Sequence, residues 1–165
     1  MLARKGHGRE AKLCYAGHVL MENRNGLVVD VEVTKATGSA EREAGLKMLR
    51  RYKKTKRRCT VAADKGYDTK DFVRGCRELT VTPHVAQNIN ARRSSAIADR
   101  TATQVGYIAS QRVRKRVEEI FGWVKTVGGG RKLRYIGLQR NQLWAEFTTT
   151  AYNLVRIANL CPEYA

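Results

Sequence analysis

The sequence predicts an α/β fold built as one domain. Three observations carry this: short apolar or alternating runs of strand length, amphipathic stretches of helix length between them, and a chain of 165 residues, enough for one compact domain and short for two. The predicted order is β-β-α-β-α-β-α-α.

Residues 1–10 are rich in Gly, Lys and Arg and read as a loose basic arm. From Lys12 to Thr34 the pattern is a hairpin: Leu13, Tyr15 and Val19 alternate with other residues, Asn25-Gly26 signals a two-residue turn, and Leu27 to Val33 follows. Val29, Val31 and Val33 then share one face, Asp30 and Glu32 the other. Ser39 can cap a helix with Glu41 and Glu43 in its first turn, where the helix dipole favours acids. Ala44, Met48, Leu49 and Tyr52 give that helix its apolar spacing. Thr60–Ala63 is a short strand ending at Asp64, and Lys65-Gly66-Tyr67 makes a turn. Asp68 or Thr69 can cap the next helix, which carries Phe72, Val73 and Cys76. Leu79–Thr82 is a strand closed by Pro83, and residues 87–107 read as a polar loop. A helix runs from Ser110 to about Thr126, where Gly128-Gly129-Gly130 stops it. A last helix spans about Gln142 to Leu160, with Trp144, Phe147, Ala151 and Leu154 as its apolar face.

Composition narrows the function. With 42% hydrophobic and 28% charged residues the chain is globular rather than disordered. No run approaches the ~20 apolar residues of a membrane span, and the first residues lack the apolar centre of a secretory signal. Cys14, Cys59, Cys76 and Cys161 form no C-x-x-C pair, which suits reduced thiols in a cytoplasmic protein. The net charge of +17 calls for an acidic partner, of which nucleic acid is the usual one. Eight cations lie between Lys47 and Arg58 with no acid among them. Nine more, from Arg112 to Arg140, face only Glu118 and Glu119. Such clusters suit phosphate contacts. Tyr52, Tyr107, Trp123 and Tyr135 lie near them in sequence and could stack on an unpaired base.

Two acids stand where chemistry could occur. Asp64 closes a strand and precedes a glycine and a helix, the position at which open α/β sheets place ligands, although Asp before Gly is also ordinary turn chemistry. In the helix from Ser110, Val113, Val117, Ile120, Phe121 and Val124 make one apolar stripe. Gln111, Arg114, Glu118 and Lys125 fall within roughly 60° of one another beside it. Glu118 is thereby expected at the edge of the core and Glu119 in solvent. The simpler reading is that both acids merely relieve a basic helix.

Ala63-Asp64-Lys65-Gly66-Tyr67-Asp68, together with Arg114-x3-Glu118-x6-Lys125 and with Phe121 and Trp123, resembles the bacterial insertion-sequence DDE transposases, in particular a subgroup with a Tyr-x2-Arg-x3-Glu-x6-Lys signature. Leu20–Asp30 and Ala151–Arg156 are similar to the same family, so the likeness runs from about Gly8 to Leu160. It implies an RNase H-like mixed sheet flanked by helices, here lacking its first strand, plus a C-terminal helix. It further implies three acids binding two divalent metals, Mg²⁺ or Mn²⁺, with Asp64 as second acid and Glu118 as third. DNA, as transposon ends and target, is the implied partner, within a homo-oligomeric synaptic complex and without a membrane. Arg114 and Lys125 match the signature's basic positions, and Lys115, Arg116, Arg131 and Lys132 extend the DNA-binding set. Gln111 stands where the signature has Tyr, and residues 1–11 contain no Asp to match the family's first acid.

The expectation is therefore residues 1–165 as a single, partial catalytic domain: a transposase fragment that binds DNA and retains two of three metal carboxylates. Two cations about 3.5–4 Å apart normally clamp the attacking and leaving oxygens of phosphodiester displacement, so a missing bridging carboxylate bears directly on activity. The alternative is a non-catalytic basic DNA- or RNA-binding module, or an inhibitor of a full-length transposase. A ribosomal-type RNA-associated protein is a third reading, which leaves the placement of Asp64 and Glu118 unused.

Overall fold

The computed structural model describes residues 2–3, 8, 10, 12–52, 58–89, 94–132 and 134–161. Lys53, Lys54, Lys56 and Arg57 of the first basic run lie outside them. The elements are β1 (Leu2–Ala3), β2 (Lys12–Leu13), β3 (Tyr15–Met21), β4 (Val28–Lys35), α1 (Ala40–Tyr52), β5 (Cys59–Ala63), α2 (Lys70–Glu78), β6 (Val81–Val85), α3 (Asp99–Ala102), α4 (Val105–Val113), α5 (Val117–Thr126) and α6 (Leu138–Leu160). They form a mixed α/β structure with three two-stranded sheets, β1–β2 and β3–β4 antiparallel and β5–β6 parallel. The chain divides into two compact units, Met1–Met48 with Arg116–Ala165, and Leu49–Lys115.

In the first unit, part of the expected basic arm is strand, since Leu2 and Ala3 pair with Leu13 and Lys12. The expected hairpin forms, but its loop is longer than a two-residue turn: Met21 pairs with Val28, and Glu22 N–H bonds to the Leu27 carbonyl at 2.9 Å. Gly26 supplies the left-handed step with φ +74, and a Cβ there would lie 2.9 Å from Arg116 Cδ. A bulge re-phases β4. Leu20 pairs with Asp30 and Met21 with Val28, leaving Val29 without an opposite residue. Val29 is consequently exposed and Val28 takes its expected place in the core with Val31 and Val33. Glu32 is buried too, in an ion pair of 2.6 Å with Lys47 of α1.

The long helix α6 packs on β4, but not by the expected face. Phe147, Ala151 and Leu154 are exposed, whereas Asn141, Ala145, Thr148, Thr149 and Tyr152 are buried. The reason is polar. Asn153 Oδ1 accepts the Val28 N–H at 2.8 Å and its Nδ2 donates to the Val28 carbonyl at 2.8 Å. Gln142 acts likewise three to five residues further along the strand, accepting from Val33 N–H at 2.7 Å and donating to the Val31 carbonyl at 3.0 Å. Two side-chain amides thus satisfy the outer backbone edge of β4 as a further strand would, which closes that edge. Val28, Ile120 and Tyr152 form one core cluster, with Val19, Met21, Val117, Phe121, Trp123 and Val124 against it, while Val31, Val33 and Ala145 centre a second.

In the second unit, α2 packs on β6 and buries Phe72, Val73, Gly75 and Cys76. Thr69, not Asp68, caps α2, with its hydroxyl accepting the Phe72 N–H at 3.3 Å. Pro83 lies inside β6 rather than closing it; β6 is an edge strand, where a missing N–H removes no ladder bond. The expected 87–107 loop contains α3 and the start of α4, and Ile97 within it is buried. The single helix expected from Ser110 to Thr126 is interrupted by a 3₁₀ turn at Arg114–Arg116, which separates α4 from α5.

Candidate nucleic-acid interface and carboxylates

The carboxylates occupy different units. In the second unit, Asp64 follows β5 and caps the 3₁₀ turn Lys65–Tyr67, its Oδ1 accepting the Gly66 N–H at 2.8 Å. The side chain is exposed at the strand's C-terminal end. The nearby Asp68 is the acid with the structural role: fully buried, it accepts the Asn88 N–H at 2.7 Å and the Ala96 N–H at 2.9 Å, tying down the segment after β6. Its sequence position suggested only a helix cap, because the partners lie 20 and 28 residues away.

Gln111, where the signature has Tyr, is a bridge in this unit. Its Nε2 donates to the His84 carbonyl at 2.6 Å, and its Oε1 accepts from Arg114 Nε at 2.9 Å. Tyr107 donates to the Val85 carbonyl at 2.8 Å, and His84 Nδ1 meets the Ser110 hydroxyl at 2.7 Å. Three residues of α4 therefore hold the end of β6 and orient the Arg114 guanidinium. Tyr107 is buried in that contact, contrary to its expected role as a stacking surface. Lys115 is exposed.

In the first unit, Glu118 lies exposed in the first turn of α5, not at the core edge that a continuous helix implied. Among the described residues it has no hydrogen-bond or ion-pair partner. Glu119 is instead the paired acid, 3.5 Å from Arg156 and 3.9 Å from Arg116. Arg116 donates to the Asn23 and Arg24 carbonyls at 2.7 and 2.8 Å, and Arg156 to the Asn25 carbonyl at 2.7 Å. The same loop wraps Glu22, whose carboxylate takes the N–H groups of Arg24, Asn25 and Leu27 at 2.9, 2.7 and 3.2 Å. Partial burial alone would raise the Glu22 pKa, but these backbone N–H bonds outweigh it and hold the carboxyl below its ordinary value.

The remaining cations converge. Lys125, Arg131, Lys132 and Arg134, with Thr126 and Gly129, line a cavity of about 560 Å³ after α5. The loop is fixed by close approach: a Cβ at Gly130 would sit 2.5 Å from Val124 Cγ1 and 2.9 Å from the Trp144 ring, and Gly130 N–H bonds to the Val124 carbonyl at 2.8 Å. Arg131 Nε donates to the Lys125 carbonyl at 3.1 Å. Three predicted DNA-binding residues are thus brought together with Arg134, which sequence reading counted in the cluster but did not single out. Four cations around one concavity repel each other, a cost that a bound polyanion removes.

Among the described residues no group of three or more His, Cys, Asp or Glu is placed to hold a metal ion. Asp64's carboxylate turns back on its own loop, and each unit taken alone offers one of the two proposed acids. Within either unit taken alone, the described residues do not by themselves form a divalent-metal centre. All four cysteines are free, and no helix of the described residues is long and apolar enough to cross a membrane.

A family model described as "Transposase DDE domain" matches residues 2–154. No curated protein and no solved structure gives a significant match.

Proposed function

The chain belongs to the transposase DDE domain family, and from that premise we propose that it serves DNA transposition by holding DNA phosphates in the cavity formed by Lys125, Arg131, Lys132 and Arg134. The convergence of these four cations is the observation that carries this reading. Backbone neutralisation by Lys and Arg supplies affinity without sequence information, which suits an enzyme domain whose end recognition is done elsewhere. In the second unit by itself, Arg114, oriented by Gln111, and the exposed Lys115 are the residues we assign to DNA contact.

Membership in the family supports a divalent metal in the reaction, and Asp64 and Glu118 are the carboxylates we assign to it, as second and third acid of the set. Both are exposed, and Glu118 has no described competitor for a cation. The Tyr-Arg-Glu-Lys subgroup remains our assignment for Arg114, Glu118 and Lys125, with Gln111 replacing the Tyr. An RNase H-like core is the architecture we assign; among the described residues its strands form separate two-stranded sheets, β3–β4 antiparallel in one unit and β5–β6 parallel in the other. In the complete enzyme this centre would perform phosphodiester cleavage and strand transfer.

The test is incubation of the chain with terminal-inverted-repeat DNA and Mg²⁺ or Mn²⁺. Binding with little nicking is expected, since two carboxylates hold a metal weakly. Absence of binding at low salt overturns the proposal; efficient cleavage refutes the account of the missing acid. The lack of an acidic triplet among the described residues favours a second reading, a non-catalytic DNA-binding module. Glu118→Gln separates the two: weakened Mn²⁺ binding supports the metal role, and unchanged binding supports the module.

A further inference from the structure

Among the described residues of the first unit, Ile136 is the most exposed large apolar side chain, at 83%, yet the backbone that carries it is held on both sides. Asn141, buried in the first turns of α6, donates from Nδ2 to the Tyr135 and Gly137 carbonyls, both at 2.7 Å. Gly137 N–H donates to the Tyr15 hydroxyl at 3.1 Å, and the Gly137 φ of +99 is open to glycine but strained for other residues. Cations flank this fixed point along the chain. Arg134, two residues before Ile136, reaches back to the cavity loop, where a Cβ at Gly129 would lie 2.7 Å from its Nη2. Two residues after Ile136, α6 begins with no side-chain cap, no acid in its first turn, and Arg140 exposed there.

We infer that Ile136 is a wedge that enters between two stacked base pairs of the DNA held at the cavity, opening and kinking the duplex at that step. This rests on the reading of the cavity as a phosphate site and names the form of DNA it takes, a duplex that unstacks locally rather than a straight one. Charge complementarity selects the occupant: the cavity cations precede the wedge and the uncapped helix start with Arg140 follows it, so the phosphates on either side of an opened step each find a positive partner. The apolar part of such a polyanion is the stack of base faces, and an apolar side chain set among cations reaches it by passing between the bases. Inserted Ile, Leu, Met or Phe side chains kink duplexes by about 20–90° in this way. The fixed mounting matters, because a side chain whose backbone is already ordered loses little freedom on insertion, which leaves more of its contact energy to offset unstacking. A lipid surface suits the arrangement less well: even a myristoyl chain anchors only marginally, and this short segment offers far less apolar length.

Two duplexes of one sequence test this with the full chain, each of about 30 base pairs with a central TpA step, the kind most easily kinked. One is fully paired, and the other carries a single mismatch at that step, so that part of the unstacking is already done. Both hold 2-aminopurine at the step, which brightens when it loses a stacking neighbour. The parent chain should bind the mismatched duplex roughly tenfold more tightly, by anisotropy, and raise its 2-aminopurine emission. Ile136→Ala should bring the ratio of affinities to about one and abolish the rise, whereas Ile136→Leu, still a wedge, should retain both effects. Val105→Ala, which trims an equally exposed side chain in the other unit, should change neither. Circular dichroism confirms that each variant is folded. Equal binding of the two duplexes by the parent, without a rise in emission, overturns the wedge while leaving the phosphate cavity in place. Failure to bind either duplex at low salt overturns the cavity and the wedge with it. A preference that survives Ile136→Ala also overturns the wedge, as does Ile136-dependent capture by phosphatidylserine vesicles with no effect at the duplex.

Discussion

Asn153→Ala tests whether amide pairing, rather than apolar contact, seats α6 on β4. The side chain makes two bonds of 2.8 Å, to the N–H and the carbonyl of Val28. Each contributes about 1 kcal/mol net, and truncation leaves two backbone groups of a buried residue without partners, so the expected loss is about 2–4 kcal/mol. With a urea slope of about 2 kcal/mol/M, the midpoint falls by about 1–2 M. The assay is unusually clean because Trp123 and Trp144, the only tryptophans, both lie in the first unit, so their fluorescence reports its unfolding alone. Asn153→Asp sharpens the test. The carboxylate keeps the acceptor but faces the Val28 carbonyl with a negative charge, so its pKa rises in the folded state. Its penalty is present in full above that raised pKa and is relieved as pH falls through it, when the acid can again donate. The Asp variant should thus be weaker than the Ala variant at pH 7 and should approach the parent near pH 4. A midpoint within about 0.3 M of the parent for Asn153→Ala would refute the role assigned to the clamp.

Two further outcomes follow from the interface and the buried histidines. Replacing Lys125, Arg131, Lys132 and Arg134 together by Ala should reduce the slope of log affinity against log salt by roughly 3 to 4 for duplex DNA, at about 0.9 per phosphate contact, measured by anisotropy between 50 and 200 mM salt. An unchanged slope removes the cavity from the binding account. Burial lowers the pKa of His18 and of His84 below the ordinary 6.5, with Glu41 and Glu32 partly offsetting it at His18. The unfolded chain then takes up protons that the folded chain resists. Stability is full above about pH 6.5 and declines as pH falls below it, with the contribution of Glu22 lost in turn below about 4.5. Tryptophan-detected melts should show His18→Gln flattening this dependence and His84→Gln, in the other unit, leaving it unchanged; identical curves for parent and His18→Gln would contradict the assignment.

Element types were legible in the sequence wherever local chemistry decides them. The hairpin, the acidic start of α1, the Asp64 turn and the glycine stop after α5 each follow from neighbours a few residues apart. What escaped reading depends on partners far along the chain. The bulge at Val29 appears only once Leu20 and Met21 are paired, and it reverses which valine is buried. Asp68 resembles a cap until Asn88 and Ala96 are brought to it. The break at Arg114–Arg116 has no glycine or proline to announce it, so the stripe that placed Glu118 at the core edge was extrapolated through a change of helical pitch. At the site, the sequence identified the cations of the cavity by their density. Nothing in it distinguished them from Arg116, whose guanidinium is committed to the hairpin loop.

The inverted helix α6 shows why apolar periodicity alone misassigns a face. Trp144, Phe147, Ala151 and Leu154 satisfy the helical period, and so do Asn141, Ala145, Thr148 and Tyr152. Area burial favours the first set. The second wins because β4 presents unpaired backbone groups that water must leave when the helix docks, and an orphaned buried N–H or carbonyl costs about 1–3 kcal/mol. Gln142 and Asn153, eleven residues or three turns apart, return along one side of the helix and pair with four such groups at Val28, Val31 and Val33. Small Ala and Thr side chains between them let the helix approach closely enough for those bonds. Phe147 and Leu154 are then left outside because the polar groups of one strand edge must be paired, while Trp144 stays half-buried against Val31, Val33 and Ala145. An Asn and a Gln three turns apart, bracketing Ala and Thr on one helix face, are therefore a better signal of the docking side here than the leucines opposite.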